Sequence, residues 1–415
     1  ATGVDLDVGS LNLLSECEIF EKQIIFQGKE KFHGGRNSGR DTYYDAMVIP
    51  TVINTGSLNA VVNGETTIEA AQILVKHDSM IKSKGDITLL TKYDVHLHDS
   101  VSKKAYLFQC HKGNLKVAGT KTVKEHFYGE APIPTIYYSG GDFYGVSEGK
   151  IHLMGAKIVG NDIHLSGKKG VKIEASAFHQ ENFVSITEQG FRMGLSSGNG
   201  KHCVTAELYS DQEKEQMSSR FHEVSELIAR NSLVIESGED VELVSVKLKF
   251  KQAKIKARNF LVSTHENSQN VEQMESHASI GVYAGVQESL SGMFNKTRDL
   301  CNKTGSILKN TGTHWLDLLD VGLKTHQLNK DLMLICKDIE TLAACENKED
   351  RNEAIKKLGT IKAGVWGGAK LSVSGSSSRV SASVDNQFIG GDLEIEVEQD
   401  IVIKGIKCEL DSLKA

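Results

Sequence analysis

The sequence predicts an all-β chain wound as a parallel β-solenoid, with an α-helical insertion near its C-terminal end. Three observations predict it. A short strand phrase keeps returning, an Asp, Asn or Gly turn followed by an alternating apolar pair, as in Gly85-Asp86-Ile87-Thr88-Leu89, Asn161-Asp162-Ile163-His164-Leu165 and Asp392-Leu393-Glu394-Ile395. Copies come in pairs at one spacing: Asp86 with Asp94, Ser232 with Asp240, Asp392 with Asp400. Self-similarity at short period is the mark of a repeat architecture. Between Gln287 and Leu358 the apolar period changes from two to three and four, the signature of amphipathic helices.

Each phrase buries one side only, because Ile87 and Leu89 fall on one face of a strand and Thr88 on the other. A lone strand of this kind closes no core, whereas stacking on its neighbours does. The competing β-sandwich requires hairpin turns, and Asn-Gly and Asp-Gly pairs are largely missing from these phrases. Scarce Pro, 3 in 415 residues, suits a backbone engaged in ladders, and 39 Gly suit tight corners. At roughly 20 residues per coil, about 335 strand-region residues give some 17 coils, a body about 80 Å long.

The order along the chain is a β-helix with loop insertions over 1–285, an amphipathic helical insertion over 286–360, and final coils over 361–415. Gly28 to Arg40 is polar and glycine-dotted and reads as a loop. The run Gly194-Leu195-Ser196-Ser197-Gly198-Asn199-Gly200-Lys201 approaches a phosphate-loop spelling, but His202 stands where Ser or Thr is needed, so nucleotide binding is rejected. In the helical segment Trp315, Leu316, Leu319 and Leu323 share an apolar face for packing or for membrane contact. Its polar face mixes acids and bases, which favours packing.

A net charge of −6 offers no nucleic-acid footprint. The basic alternation Lys247-Leu248-Lys249-Phe250-Lys251 reads as the solvated face of a strand. Seven Cys without close spacing argue against a zinc site and against a fully paired disulfide framework. Cys301, Cys336 and Cys345 share the helical segment and are within reach of bridging if its helices fold back. No apolar run reaches eighteen residues, and the first residues lack the pattern of a signal peptide, which leaves a cytosolic protein or a piece of a longer secreted chain.

Two constellations are candidates for function. Asp94, His96 and His98 alternate along one strand and form a partial metal-ligand set, with a solvated strand face as the competing reading. Tyr137, Tyr138, Phe143 and Tyr144 form an aromatic stretch, read first as packing and second as a contact surface. The repeated Asp residues fall in turns, where a carboxylate accepts backbone N–H groups, so they are assigned to structure and not to glycoside chemistry. No catalytic constellation and no cofactor site is predicted.

One further likeness rests on the order of segments. A strand array leads to Ala278-Ser279-Ile280-Gly281-Val282-Tyr283-Ala284-Gly285, then helices, then a Ser/Gly-rich alternating strand. Gly390-Gly391-Asp392-Leu393-Glu394-Ile395 and Asp400-Ile401-Val402-Ile403-Lys404-Gly405 follow. This order resembles the haemagglutinin-repeat region of filamentous haemagglutinins and of the large exoproteins of contact-dependent growth inhibition. The resemblance implies a right-handed parallel β-helix, secreted or at the cell surface through a two-partner system with an outer-membrane transporter. It implies adhesion to a receptor or glycan on a host or target cell, or delivery of a toxin to a neighbouring cell. Two other functions are set against it, a carbohydrate-active β-helix enzyme and a membrane-engaging element that uses the helical insertion. The chain departs from that family in lacking a recognisable secretion domain before the repeats and a toxin module after Leu413, and in its number of Cys.

Overall fold

A computed structural model describes residues 3–29, 36–111, 114–198, 201–286 and 363–415. The first coil contributes β1 (Val4–Val8) and β2 (Leu11–Leu13), and leads into a hairpin of β3 (Glu16–Lys29) and β4 (Arg36–Ile49). Two coils follow, β5 (Thr51–Thr55), β6 (Leu58–Val62) and β7 (Thr66–Glu69), then β8 (Ala71–Val75), β9 (Ser79–Ser83) and β10 (Ile87–Leu90). A second hairpin, β11 (Lys92–His111) and β12 (Asn114–Ile133), precedes β13 (Ile136–Ser139), β14 (Phe143–Ser147) and β15 (Ile151–Met154), and then β16 (Lys157–Gly160), β17 (Ile163–Gly167) and β18 (Val171–Glu174). After a third hairpin, β19 (Ser176–Gly198) and β20 (Lys201–Glu223), come β21 (Ser225–Ala229), β22 (Ser232–Ser237) and β23 (Asp240–Val244), then β24 (Val246–Ala257) and β25 (Asn259–Ser263). The fourth pair is β26 (His265–Val286) and β27 (Ala363–Val384), followed by β28 (Asn386–Val397), β29 (Ile401–Ile403) and β30 (Ile406–Lys414).

The short strands pair only in parallel, each with its counterpart one coil away, and build a β-helix. Thr51 lies beside Ala71 and Ile136 beside Lys157, so a coil takes about 20 residues once the hairpins are set aside. The coil length therefore agrees with the sequence phrase, but the coil count does not. Nine levels at ~4.8 Å give a body about 40 Å long, half the expected length, because the hairpins absorb the remaining residues.

Inside, like stacks on like. Leu13, Ile68, Leu89, Leu153, Ile173, Leu243, Val262 and Ile403 form one ladder through the eight-stranded parallel sheet. The interior of this ladder, from Ile68 to Val262, belongs to a single continuous core. Tyr137 and Phe143 are the bulkiest part of that core, packed edge to face at 4.6 Å. Gly145 makes room for them, since a Cβ there would stand 3.1 Å from Leu165 and 3.4 Å from the Phe143 ring.

The corner between the eight-stranded parallel sheet and the next strand alternates between two forms. In every other coil it is a single left-handed residue: Ala70 (φ 45°), Gly155 (φ 61°), Ser245 (φ 54°) or Gly405 (φ 63°). In the coils between, the same corner opens into a long hairpin. A hairpin is two strands wide and leaves one strand at each coil level, so the spacing of the hairpin sheet matches the rise of the coils at ~4.8 Å. The four hairpins thus form one eight-stranded antiparallel sheet beside the β-helix, in the order β27-β26-β20-β19-β12-β11-β4-β3.

This sheet corrects two expectations. Hairpins were thought to be missing, and Gly28 to Arg40 was read as a loop; Gly28 and Lys29 end β3, and Arg36 to Arg40 begin β4. Gly194 to Gly198 and Lys201 likewise lie in paired strands, with Gly198 opposite Lys201. The residues between them in sequence, Asn199-Gly200, are the dipeptide most favoured in two-residue hairpins. The expected helical insertion, with Trp315, Leu316, Leu319, Leu323 and the three Cys, lies outside the described residues; β26 and β27 flank it as partners in one antiparallel pair. Residues 363–384, expected as coil, form the return strand of that pair.

Candidate interaction surface

Each hairpin is fastened to the β-helix by one polar side chain at the point where the chain returns. Asn386, fully buried, accepts from Val246 N–H at 2.9 Å and donates from Nδ2 to Ser263 O at 2.7 Å and Gly405 O at 3.2 Å. Ser225 repeats the pattern one hairpin earlier, donating to Glu174 O at 2.7 Å and accepting from Ala156 N–H at 3.1 Å. Thr135 donates to Leu90 O at 2.6 Å and accepts from Ala71 N–H at 3.4 Å, and Thr51 donates to Leu14 O at 2.9 Å. These groups replace the ladder bonds lost where a corner opens, so the hairpin leaves the coil without orphaning backbone donors.

Beyond the root the strands are long, up to 23 residues for β19 and β20, or about 75 Å at the usual strand rise. The core cluster of the β-helix contains no residue of these strands. Most of their described side chains are half-buried or exposed on both faces, so the sheet is a single layer held by cross-strand contacts. Following direct partners from Glu21 through Tyr44, Leu97, Tyr128, Glu181, Ser218 and Asn270 leads to Arg379, with no slip in register.

The exception to its thinness is one cluster. Tyr106, Gly119, Gly190 and Tyr209 form a cross-strand row, and the two tyrosines lie over the two glycines until their hydroxyls meet. A Cβ on Gly119 would stand 2.5 Å from the Tyr106 oxygen, so the row requires glycine there. Glu188 accepts from Tyr106 at 2.5 Å, Tyr209 at 2.6 Å and Lys116 at 2.5 Å. Burial pushes the Glu188 carboxyl up, but hydrogen bonds from Lys116, Tyr106 and Tyr209 outweigh it and hold the group below its ordinary range. Burial and the Glu188 carboxylate both raise the two phenols. Arg192 covers the outer face of Tyr209 at 4.7 Å and pairs with Glu207, while His277 pairs with Asp211. Four strands, β11, β12, β19 and β20, are tied together by this one network. Its members are 82 and 103 residues apart in sequence, which left no local signal.

The three metal-ligand candidates do share a face of β11, as their spacing requires, but each is engaged separately with β4. Asp94 accepts from Val48 N–H at 2.6 Å, His96 pairs with Asp45 at 2.8 Å, and His98 stacks flat on Tyr43 at 4.3 Å. Among the described residues no group of three His, Cys, Asp or Glu side chains is placed to hold a metal ion. Val95 and Leu97, expected to be buried opposite them, are only half-buried because the sheet has no covered face. The aromatic stretch divides: Tyr137 and Phe143 are in the core, while Tyr138 and Tyr144 are 36% and 38% exposed. Arg230 lies over the Tyr138 ring at 5.4 Å and donates to its hydroxyl at 2.6 Å, and Tyr144 meets the edge of His164 at 6.1 Å.

The turn carboxylates accept backbone N–H groups, but from the neighbouring coil and not from their own turn. Asp78 accepts from Asp142, Asp142 from Asp162, Asp162 from Ser232, and Asp86 from Lys150, at 2.7–3.2 Å. The repeated Asp is thus a rung-to-rung tie. Asp94 is no turn residue at all, so its eight-residue spacing from Asp86 marks a hairpin root and not a second strand of the coil.

Residues 134–278 match the haemagglutinin-repeat family. No curated protein and no solved structure matches the chain. The matched stretch runs from β13 into β26, and holds two coils, the whole third hairpin and two further coils. Fold and match together define a β-helical segment built on haemagglutinin repeats.

Proposed function

We propose that the chain is a non-catalytic segment of a secreted or cell-surface haemagglutinin-like exoprotein that presents its hairpin sheet to another cell. The contact serves adhesion, or the delivery of a toxin carried by the same exoprotein. The observation that carries this reading is the eight-stranded sheet, a single layer with side chains open on both faces beside a compact β-helix. A fold needing only stability would not hold such a surface out in water, where it buries little apolar area. The receptor or glycan would be met by this surface and by the exposed Tyr138 and Tyr144. Engagement of the repeated Asp carboxylates by backbone N–H groups supports the non-catalytic reading over a glycoside-cleaving one, which needs paired carboxylates facing a groove.

The test is binding of the labelled chain to intact cells. It is compared with a variant in which residues 15–50, the first hairpin, are replaced by a single glycine, the corner that alternate coils already use. Circular dichroism would confirm that the coils remain. Loss of cell binding by the variant is expected; equal binding by both would refute a role for the hairpin sheet.

A further inference from the structure

Both edges of the hairpin sheet are open among the described residues: β3 pairs only with β4, and β27 only with β26. Neither edge is protected in the usual way, since Lys370 to Ser383 in β27 contains no proline, a single further charge at Arg379, and is exposed throughout. Leu371, Val373 and Val380 on that strand are 64–76% exposed, and β3 exposes Ile19, Phe20 and Ile25 at 55–67%. A sheet closes into a barrel only with a stagger between strands, and this one has no slip from Glu21 to Arg379, so its own two edges do not meet.

We infer that β27 is a docking edge for β3 of a second copy of this chain, which extends the hairpin sheet head to tail. The interface is one the molecule already makes three times. At β4–β11, β12–β19 and β20–β26 a returning strand pairs antiparallel with the next outgoing strand, root beside root. The same rule sets Val384 opposite Glu16 of the incoming copy. It then places Arg379 opposite Glu21, the two ends of the straight row, and Val380 opposite Phe20. Charge and apolar surface are thereby matched without adjustment.

The coils complement each other in the same step. At the last level β30 supplies Ile406–Leu410, stacked on the first half of β28, and the eight-stranded parallel sheet stops at β29. The incoming copy begins with the two strands that this level still lacks. β1 continues the stack that ends on the second half of β28, and β2 sets Leu11 and Leu13 over Ile401 and Ile403. Those two isoleucines are each 43% exposed in the single chain. The sole overlap is Ser412–Lys414 of β30, which yields its place to β1. A contact of this kind is heterologous and does not close on itself, so it generates open chains of copies.

The test uses the full chain with Cys17 and Cys408 changed to serine. Phe20→Cys and Val380→Cys variants, mixed under mild oxidation, are expected to cross-link; Phe20→Cys with Ser381→Cys is not, since a shift of one residue turns the thiol to the other face. Sedimentation velocity should show a concentration-dependent series of oligomers. Arg379→Glu should weaken association about 2- to 5-fold, with recovery when Glu21→Arg is added. A chain that stays monomeric at high micromolar concentration overturns the inference. So does cross-linking that ignores the one-residue shift, or association that ignores the charge exchange. None of these outcomes bears on the cell-binding assay, which reads the faces of the sheet and not its edges.

Discussion

Changing Asn386 to Ala should cost more than any exposed substitution in the hairpin sheet, and the structure sets the magnitude. Three hydrogen bonds are lost, but not equally. Ser263 O keeps a bond from Ser245 N–H at 3.1 Å, and Gly405 O keeps one from the Asn386 backbone at 3.0 Å. For these two acceptors the loss is the ordinary net value of a bond, about 1 kcal/mol each. Val246 N–H depends on Asn386 Oδ1 in a fully buried setting, and its orphaning adds about 1–3 kcal/mol. The sum is about 3–5 kcal/mol. Because a solenoid need not unfold as one unit, the assay pairs urea denaturation with amide hydrogen exchange across β24 and β28. The expected result is a lowered midpoint together with faster exchange at Val246. A loss below about 1 kcal/mol with Val246 still protected would refute the argument that this side chain, and not the strand pairing around it, fastens the fourth hairpin.

Two further outcomes follow from the corners and the charges. Gly155→Ala should destabilise by about 2–4 kcal/mol, since it puts a Cβ at φ 61° and 2.4 Å from Thr91 Oγ1, whereas Ala70→Gly at the equivalent corner should be neutral or mildly stabilising; thermal melts of the two variants decide it. Glu174 is held at about 2, chiefly by the hydrogen bond from His152, with Lys172 adding to it and burial opposing. A carboxyl depressed in the folded state stabilises above its unfolded value near 4.5, and that contribution disappears as pH falls toward 2. Glu174→Gln should therefore remove about 2–3 kcal/mol at neutral pH and flatten the acid limb between those values, read by urea midpoints against pH.

What the sequence disclosed and what it hid have one cause. In the coils the burial period is two and each strand meets a near copy of itself, so Ile87-Thr88-Leu89 announces both its own conformation and its neighbour's. The same phrase yields the coil length of about 20 residues and the parallel stacking. The hairpin strands carry no such signal, because a single-layer sheet has no buried face to impose alternation; Val95 and Leu97 look core-bound in sequence and are half-buried in fact. The Asn199-Gly200 turn was the one local sign, and it stood inside a run that drew attention as a failed phosphate loop. The Tyr106–Glu188–Tyr209 network spans three strands from distant parts of the chain and is fixed only once the register is known.

The hairpins and coils are in turn fixed by a shared length. A corner that opened in every coil would put two hairpin strands at each ~4.8 Å level, twice what a sheet admits, and one that opened every third coil would leave gaps in the ladder. Opening at alternate corners is the arrangement that fits both sheets at once. This explains why Ala70, Gly155, Ser245 and Gly405, widely separated in sequence, share one left-handed conformation. Closing the corner in those four coils is what allows the intervening ones to open. A family built this way can vary the hairpin faces freely, because the register is held at the root by Thr51, Thr135, Ser225 and Asn386 and not by the side chains that meet a partner.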